Sequence, residues 1–185
     1  MAEETPLYTI GYGARDLAAF IVTLHENQIQ FLLDVRSKPY SRFKPEFSKE
    51  SLQSALEASG IRYLFIGDAL GGQPDDETCY TDGKVDYAKL GEKSFYREGI
   101  NRLHKASQQG LRVALMCSEG KPENCHRSKL IGRTLAQQGL EVLHIDEQDE
   151  LISQHQVMLR LTGGQMNLFG DEFGKLTSRK RYREE

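Results

Sequence analysis

Gly110-Leu111-Arg112-Val113-Ala114-Leu115-Met116-Cys117 is the stretch whose reading decides the fold. A helical pattern runs up to the glycine and an unbroken apolar run follows it. Glycine enters the left-handed backbone region without a Cβ penalty, so Gly110 is expected just past a helix end, feeding a buried strand over 113–116. The same signature occurs at Gly60-Ile61-Arg62-Tyr63 and at Gly139-Leu140-Glu141-Val142, predicting strands over 63–66 and 142–145. Toward the N-terminus, Leu7–Ile10 is a short β-like run stopped by Gly11 and Gly13, and Leu17, Phe20, Ile21 and Leu24 recur at helical spacing. Phe31-Leu32-Leu33-Asp34-Val35 reads as a strand buried on both faces, as parallel strands are. Ser48 then N-caps a helix with the apolar stripe Leu52, Ala55 and Leu56. About five strands interleaved with helices imply one three-layer α/β domain, mainly parallel, with helices on both faces of the sheet.

The 185 residues suit a single domain over 1–161 and a polar, flexible tail over 162–185. A net charge of -3 argues against a wholly basic nucleic-acid binder, although a local basic surface remains compatible with it. Three cysteines do not make a disulfide framework. The N-terminal residues are acidic where a secretory signal is basic and then apolar, and no apolar run is long enough to span a bilayer, so a cytoplasmic protein without membrane association is expected. Oligomeric state leaves no trace in the sequence.

The chemistry is expected in the loop Cys117–Arg127, between a buried strand and a helix carrying Leu130, Ile131 and Leu135. Backbone N–H groups at a helix N-terminus form an anion site. A cysteine near them holds more thiolate, the nucleophilic form. Cys117, Cys125, His126 and Arg127 are therefore candidate catalytic residues. His126 sits in the first turn, where the helix dipole disfavours a cation, which suits a base or a ligand. The competing chemistry is zinc, held by Cys117, Cys125, His126 and His144 near adjacent strand ends. The spacing lacks a Cys-x2-Cys hook, and apart from zinc no cofactor is expected.

The strand over 31–35 supplies the opposite wall. Asp34 and Arg36 alternate and so share a side, and a carboxylate within an apolar strand needs a partner such as Arg36, Arg127 or clustered N–H groups. They complete the catalytic set. Tyr12, Ser37, Arg42, Gly71, Gly72 and Glu119 form the expected substrate- or anion-binding set. The long loops after Val35 and after Ile66 lie on the carboxyl edge of the sheet, where open α/β folds bind ligands. Cations interleaved with Tyr40 and Phe43 over 36–44 could hold phosphate and stack a base.

Thr9-Ile10-Gly11-Tyr12, Leu33-Asp34-Val35-Arg36, Pro39-Tyr40-Ser41, Gly60-Ile61-Arg62-Tyr63, Leu70-Gly71-Gly72, Leu115-Met116-Cys117-Ser118-Glu119 and Cys125-His126-Arg127 occur in this order. Together they resemble the uncharacterised domain-of-unknown-function 488 family from roughly Tyr8 to Ile145. The resemblance implies a fold and a site, and no activity. The layout is also similar to rhodanese and cysteine-phosphatase domains, which would make Cys117 the nucleophile and Arg127 the anion clamp. Those domains place an arginine six residues after the cysteine, where this chain has Glu123.

Gln165-Met166-Asn167-Leu168-Phe169 resembles the Gln-x-x-Leu-Phe peptide by which bacterial repair and replication proteins dock on the sliding clamp, with Gln165, Leu168 and Phe169 as anchors. The functions in view are therefore a nucleic-acid-associated, DNA-repair-linked enzyme acting on a phosphate-bearing substrate, a cysteine-dependent transferase or hydrolase of small molecules, and a zinc-bearing or anion-binding module without catalysis.

Overall fold

The computed structural model describes residues 4–164 and 176–184. The main sheet has six strands: β1 (Leu7–Gly11), β2 (Phe31–Asp34), β3 (Arg62–Phe65), β6 (Val113–Cys117), β7 (Val142–Ile145) and β8 (Leu151–Ser153). Their order is β3-β2-β6-β1-β7-β8. The first five expected strands are all present and pair in parallel, whereas β8 pairs antiparallel to β7. Between β3 and β6 lies a short hairpin, β4 (Tyr80–Thr81) and β5 (Lys84–Val85).

The helices are α1 (Leu17–Glu26), α2 (Lys49–Ala58), α3 (Gly67–Leu70), α4 (Tyr87–Gly91), α5 (Ser94–Gln108), α6 (Arg133–Gln137) and α7 (Gln154–Leu161). A π-helical stretch, Arg127–Gly132, runs directly into α6. Successive residues of a strand point to opposite faces, and the core divides accordingly. Val113, Leu115 and Cys117 of β6 face a cluster that contains Tyr96, Ile100 and Leu103 of α5. Ala114 and Met116 face Phe20 and Leu24 of α1 and Leu52 and Leu56 of α2.

Gly60, Gly110 and Gly139 have φ of 78, 70 and 84°, the left-handed conformation expected at a helix exit. Each donates its N–H to the carbonyl three residues back, and the residue after it donates five back, which is a Schellman motif. Gln28 closes α1 in the same way with φ 55°, so a fourth connection uses the motif without glycine.

Residues 176–184, read from composition as part of a flexible tail, return to the domain. Ser178 donates its N–H to Val85 O at 2.9 Å, and Tyr182 donates to Gly83 O at 2.8 Å. Cys79, which lies in a polar loop by sequence, is fully buried in the core. The motif at Gln165, Leu168 and Phe169 lies outside the described residues. Among the described residues no helix is long and apolar enough to cross a membrane.

Candidate active site

The strands β2, β6 and β1 are neighbours, and all three send their carboxyl ends to the same edge of the sheet. The loops that follow them, with residues 72–73 and the returning segment 178–182, surround a cavity of about 390 Å³. Tyr12, Arg36, Ser37, Gly72, Cys117, Glu119, Cys125 and His126 line it, as the sequence suggested. Arg42 is exposed, with its guanidinium 5.9 Å from the Phe43 ring, and is absent from the lining. Gly71 also falls outside it, because a Cβ there would collide with Ser37 and the Gly67 carbonyl. Its role is close packing beneath the wall.

Cys117, Cys125 and His126 converge at the cavity floor. Their sulfur and nitrogen atoms lie within 4.8 Å of one another, and all three residues are buried. His126 Nε2 lies 3.2 Å from Val35 O and 3.1 Å from Leu70 O. Two carbonyl acceptors require that nitrogen to carry the proton, so Nδ1 turns toward the sulfurs, 3.7 Å from Cys125 Sγ and 4.0 Å from Cys117 Sγ. Gly72 makes room for this ring, since a Cβ there would stand 2.8 Å from His126 Cγ.

Cys125 has extended backbone angles one residue before the His126 cap of the π-helical stretch, its carbonyl takes the N–H groups of Ser128 and Lys129, and the backbone N–H of Arg127 bonds its sulfur. Burial opposes a charge on Cys125, but the Cys117 thiol donating to it and the Arg127 guanidinium bring its pKa down to about 6. Cys117 is pushed up to about 12 by that hydrogen bond to Cys125 and by burial. The hydrogen bond between the sulfurs and the Arg127 charge thus favour a thiolate on Cys125 over one on Cys117.

Arg127 is absent from the cavity lining. It is fully buried, and its Nε donates to Thr9 Oγ1 at 3.2 Å, its Nη1 to Glu119 O, and its Nη2 to Gly120 O at 2.9 Å. The guanidinium thereby draws the loop after β6 down onto β1. Gly11 permits this approach, because a Cβ there would overlap the Glu119 carbonyl.

His144 stands behind Arg127, away from the cavity. Its Nδ1 accepts from Thr9 Oγ1 at 2.7 Å, and its Nε2 faces Gln154 Oε1 at 2.7 Å. With both ring nitrogens occupied, it does not join the thiols as a ligand. Burial first, and then the Arg127 charge, lower its pKa to about 3. Gln154 passes the network on to Ser128 O at 3.0 Å. That carbonyl also takes the long-range N–H of Arg133, so the π-helical turn is where the network enters the helix. Gly132 leaves the space, since a Cβ would strike Gln154 Oε1.

On the other wall, Arg36 is the partner that Asp34 required. Its Nε bonds Asp34 Oδ1 at 2.9 Å and its Nη2 bonds Oδ2 at 2.6 Å, while Tyr63 Oη donates to Oδ2 at 2.7 Å. Asp34 itself is fully buried behind the wall. Arg36 Nη1 is buried and has no hydrogen-bond partner among the described residues.

The segment 178–182 contributes what the sequence missed. Ser178, Arg179, Lys180 and Tyr182 line the cavity, joined by Lys38, Tyr40 and Tyr87. Arg179 Nη2 pairs with Glu119 Oε2 at 3.1 Å. Arg179 and Lys180 fall in the segment expected as a polar tail, and their place at the cavity was not legible. Glu123 turns away from the cavity toward Arg160, at 3.9 Å.

Fold and site define an open, mainly parallel α/β domain with a cysteine–histidine centre at the carboxyl edge of its sheet. The chain belongs to the family described as domain of unknown function DUF488, whose model matches residues 16–134. That span contains the whole Cys117–Arg127 loop as well as Asp34 and Arg36, and stops short of segment 176–184. No curated protein and no solved structure matches the chain significantly.

Proposed function

We propose that the protein is an enzyme that binds a small phosphate-bearing molecule in this cavity and acts on it at the Cys117–Cys125–His126 centre. One observation carries the reading. A chain of net charge -3 gathers Arg36, Lys38, Arg179 and Lys180 around one cavity, against one lining carboxylate among the described residues, Glu119. The unmatched Nη1 of Arg36 adds a buried donor that an anionic oxygen would satisfy. At about 390 Å³ the cavity has the size of a nucleotide-scale site.

The substrate class extends to nucleotides and nucleic-acid ends. Tyr40 lines the cavity, and both it and the neighbouring Phe43 are strongly exposed beside Lys38 and Arg42. Aromatic faces among cations stack unpaired bases. The clamp-like peptide at 165–169 agrees with such a role in DNA repair. A rhodanese- or phosphatase-like displacement by Cys117 is less well supported, because Arg127 is spent on backbone carbonyls and lies outside the cavity lining.

Calorimetric titration tests the reading with pyrophosphate, nucleoside monophosphates and a 5′-phosphorylated single strand. At least one should bind and raise the melting temperature. Replacing Lys38 and Lys180 together by alanine should weaken that binding about tenfold while leaving the fold intact. Absence of binding by all three probes removes the phosphate-bearing substrate from the proposal.

A further inference from the structure

We infer that Cys117, Cys125 and His126 hold a zinc ion whose fourth position opens into the cavity. This deepens the proposed function, on which its catalytic meaning rests, by naming the chemistry of the centre.

The donor set comes first. Two sulfurs and an imidazole nitrogen, all buried, lie within 4.8 Å of one another. Thiolate and imidazole ligands select zinc among the common divalent ions.

The spacing is the second point. His126 Nδ1 stands 3.7 and 4.0 Å from the two sulfurs. Zinc bonds of about 2.3 Å to sulfur and 2.0–2.1 Å to nitrogen put tetrahedral ligand atoms roughly 3.5–3.8 Å apart. The observed separations match a metal between the atoms within a few tenths of an ångström.

The third point is the support behind the histidine. A metal-bound histidine nearly always donates its other ring N–H to a carbonyl or carboxylate, which fixes the ring and its tautomer. His126 Nε2 has two backbone carbonyls, Val35 O and Leu70 O, from two different loops. Gly72 keeps the ring face clear. Neither feature is needed to seat a histidine that only fills space.

Three protein ligands with an open fourth site are the pattern of catalytic rather than structural zinc. The cavity supplies the opening, since all three residues line it. Two thiolates, a neutral imidazole and Zn²⁺ sum to zero charge. A hydroxide in the fourth position would make the centre singly negative beside the buried Arg127 cation. Such an arrangement supplies an attacking hydroxide at neutral pH for hydrolysis of the bound substrate. The hydroxide oxygen would bond to phosphorus as the bond from phosphorus to the departing oxygen breaks; the proton lost when water became hydroxide goes to solvent, and the departing oxygen takes one back from solvent.

Elemental analysis of the full chain, expressed without a histidine tag, should find about one zinc per molecule. After chelation, cobalt(II) should restore an intense visible spectrum of tetrahedral type with a near-ultraviolet thiolate-to-cobalt band. Cys125→Ser and Cys117→Ser should each lower metal affinity at least tenfold, and Cys79→Ser should leave it unchanged. The cobalt spectrum of the unaltered chain is decisive even if a variant fails to fold. Metal-free protein that gives no thiolate–cobalt band overturns the inference, as does a Cys117–Cys125 disulfide in protein prepared under reducing conditions. If phosphate-bearing probes still bind that protein, the cavity reading survives without the metal. Stoichiometric zinc without binding of any such probe keeps the metal site and removes the substrate class.

Discussion

Arg36 lines the cavity and Arg127 lies outside its lining; they are 6% exposed and fully buried respectively, and their charges are met in different ways. Arg36 faces a carboxylate. Asp34 engages its Nε and Nη2 as a fork and leaves Nη1 unmatched. Arg127 meets the neutral oxygens of Thr9, Glu119 and Gly120, and its charge also falls on the sulfur of Cys125. A buried cation's use is therefore set by which of its donors the surroundings leave over. Arg36 is left with one unmatched donor, whereas Arg127 holds a loop.

The largest effect should come from Arg127→Met, which keeps an apolar stem and removes the donors. Two part-buried carbonyls and the buried Thr9 hydroxyl lose a partner at roughly 1–3 kcal/mol each, so a loss of about 4 kcal/mol is expected. Urea unfolding followed by circular dichroism measures it. Unchanged stability would mean that the loop after β6 stands without this arginine, and the contrast with Arg36 would collapse.

Asp34→Asn tests the other side. Removing one partner of a buried ion pair costs about 3–5 kcal/mol, and asparagine retains an acceptor, so about 2–3 kcal/mol is expected. The same unfolding experiment should also show weaker binding of phosphate probes, because Arg36 loses the fork that orients it. A stability loss with unaltered affinity would separate Arg36 from the ligand.

The neutral network behind Arg127 predicts a pH dependence. His144 has a folded pKa of about 3, below the unfolded value of about 6.5. Above pH 6.5 both states are unprotonated and the residue is indifferent to pH. Below it the unfolded chain takes up a proton that the folded chain refuses, so stability falls as pH drops from about 6.5 toward 3. The slope approaches about 1.4 kcal/mol per pH unit. His144→Gln should flatten that part of the stability profile. A variant profile as steep as the parent's would assign the acid sensitivity elsewhere.

The sequence made the parallel frame legible through Gly60, Gly110 and Gly139, because left-handed helix exits favour glycine. Gln28 takes the same conformation without that mark. Strand β8, with three residues, and the hairpin strands, with two each, are too short for a period to register. Cys117, Cys125 and His126 were found because they cluster at a strand-to-helix turn. That the Arg127 N–H and guanidinium meet the sulfur of Cys125 was not legible, since it follows from the backbone turn between Cys125 and Arg127. His144 sat at the correct strand level, but its ring is taken up by Thr9 and Gln154. Segment 176–184 was hidden because polar composition says nothing about backbone bonds to Gly83 and Val85.

A third arginine extends the comparison to the surface. Arg179 is 52% exposed and pairs with Glu119, itself 28% exposed, at 3.1 Å. Exposed pairs of this kind contribute little to stability, because water and salt screen them. Arg179→Ala should therefore leave the unfolding midpoint unchanged. It removes a cation from the mouth of the cavity and also frees a carboxylate there. Affinity for a phosphate probe should drop severalfold at low ionic strength and converge on the parent's at high salt, as a screened charge at the mouth requires. A loss that persists undiminished in high salt would place Arg179 in direct contact with the ligand, beside Arg36 rather than outside it.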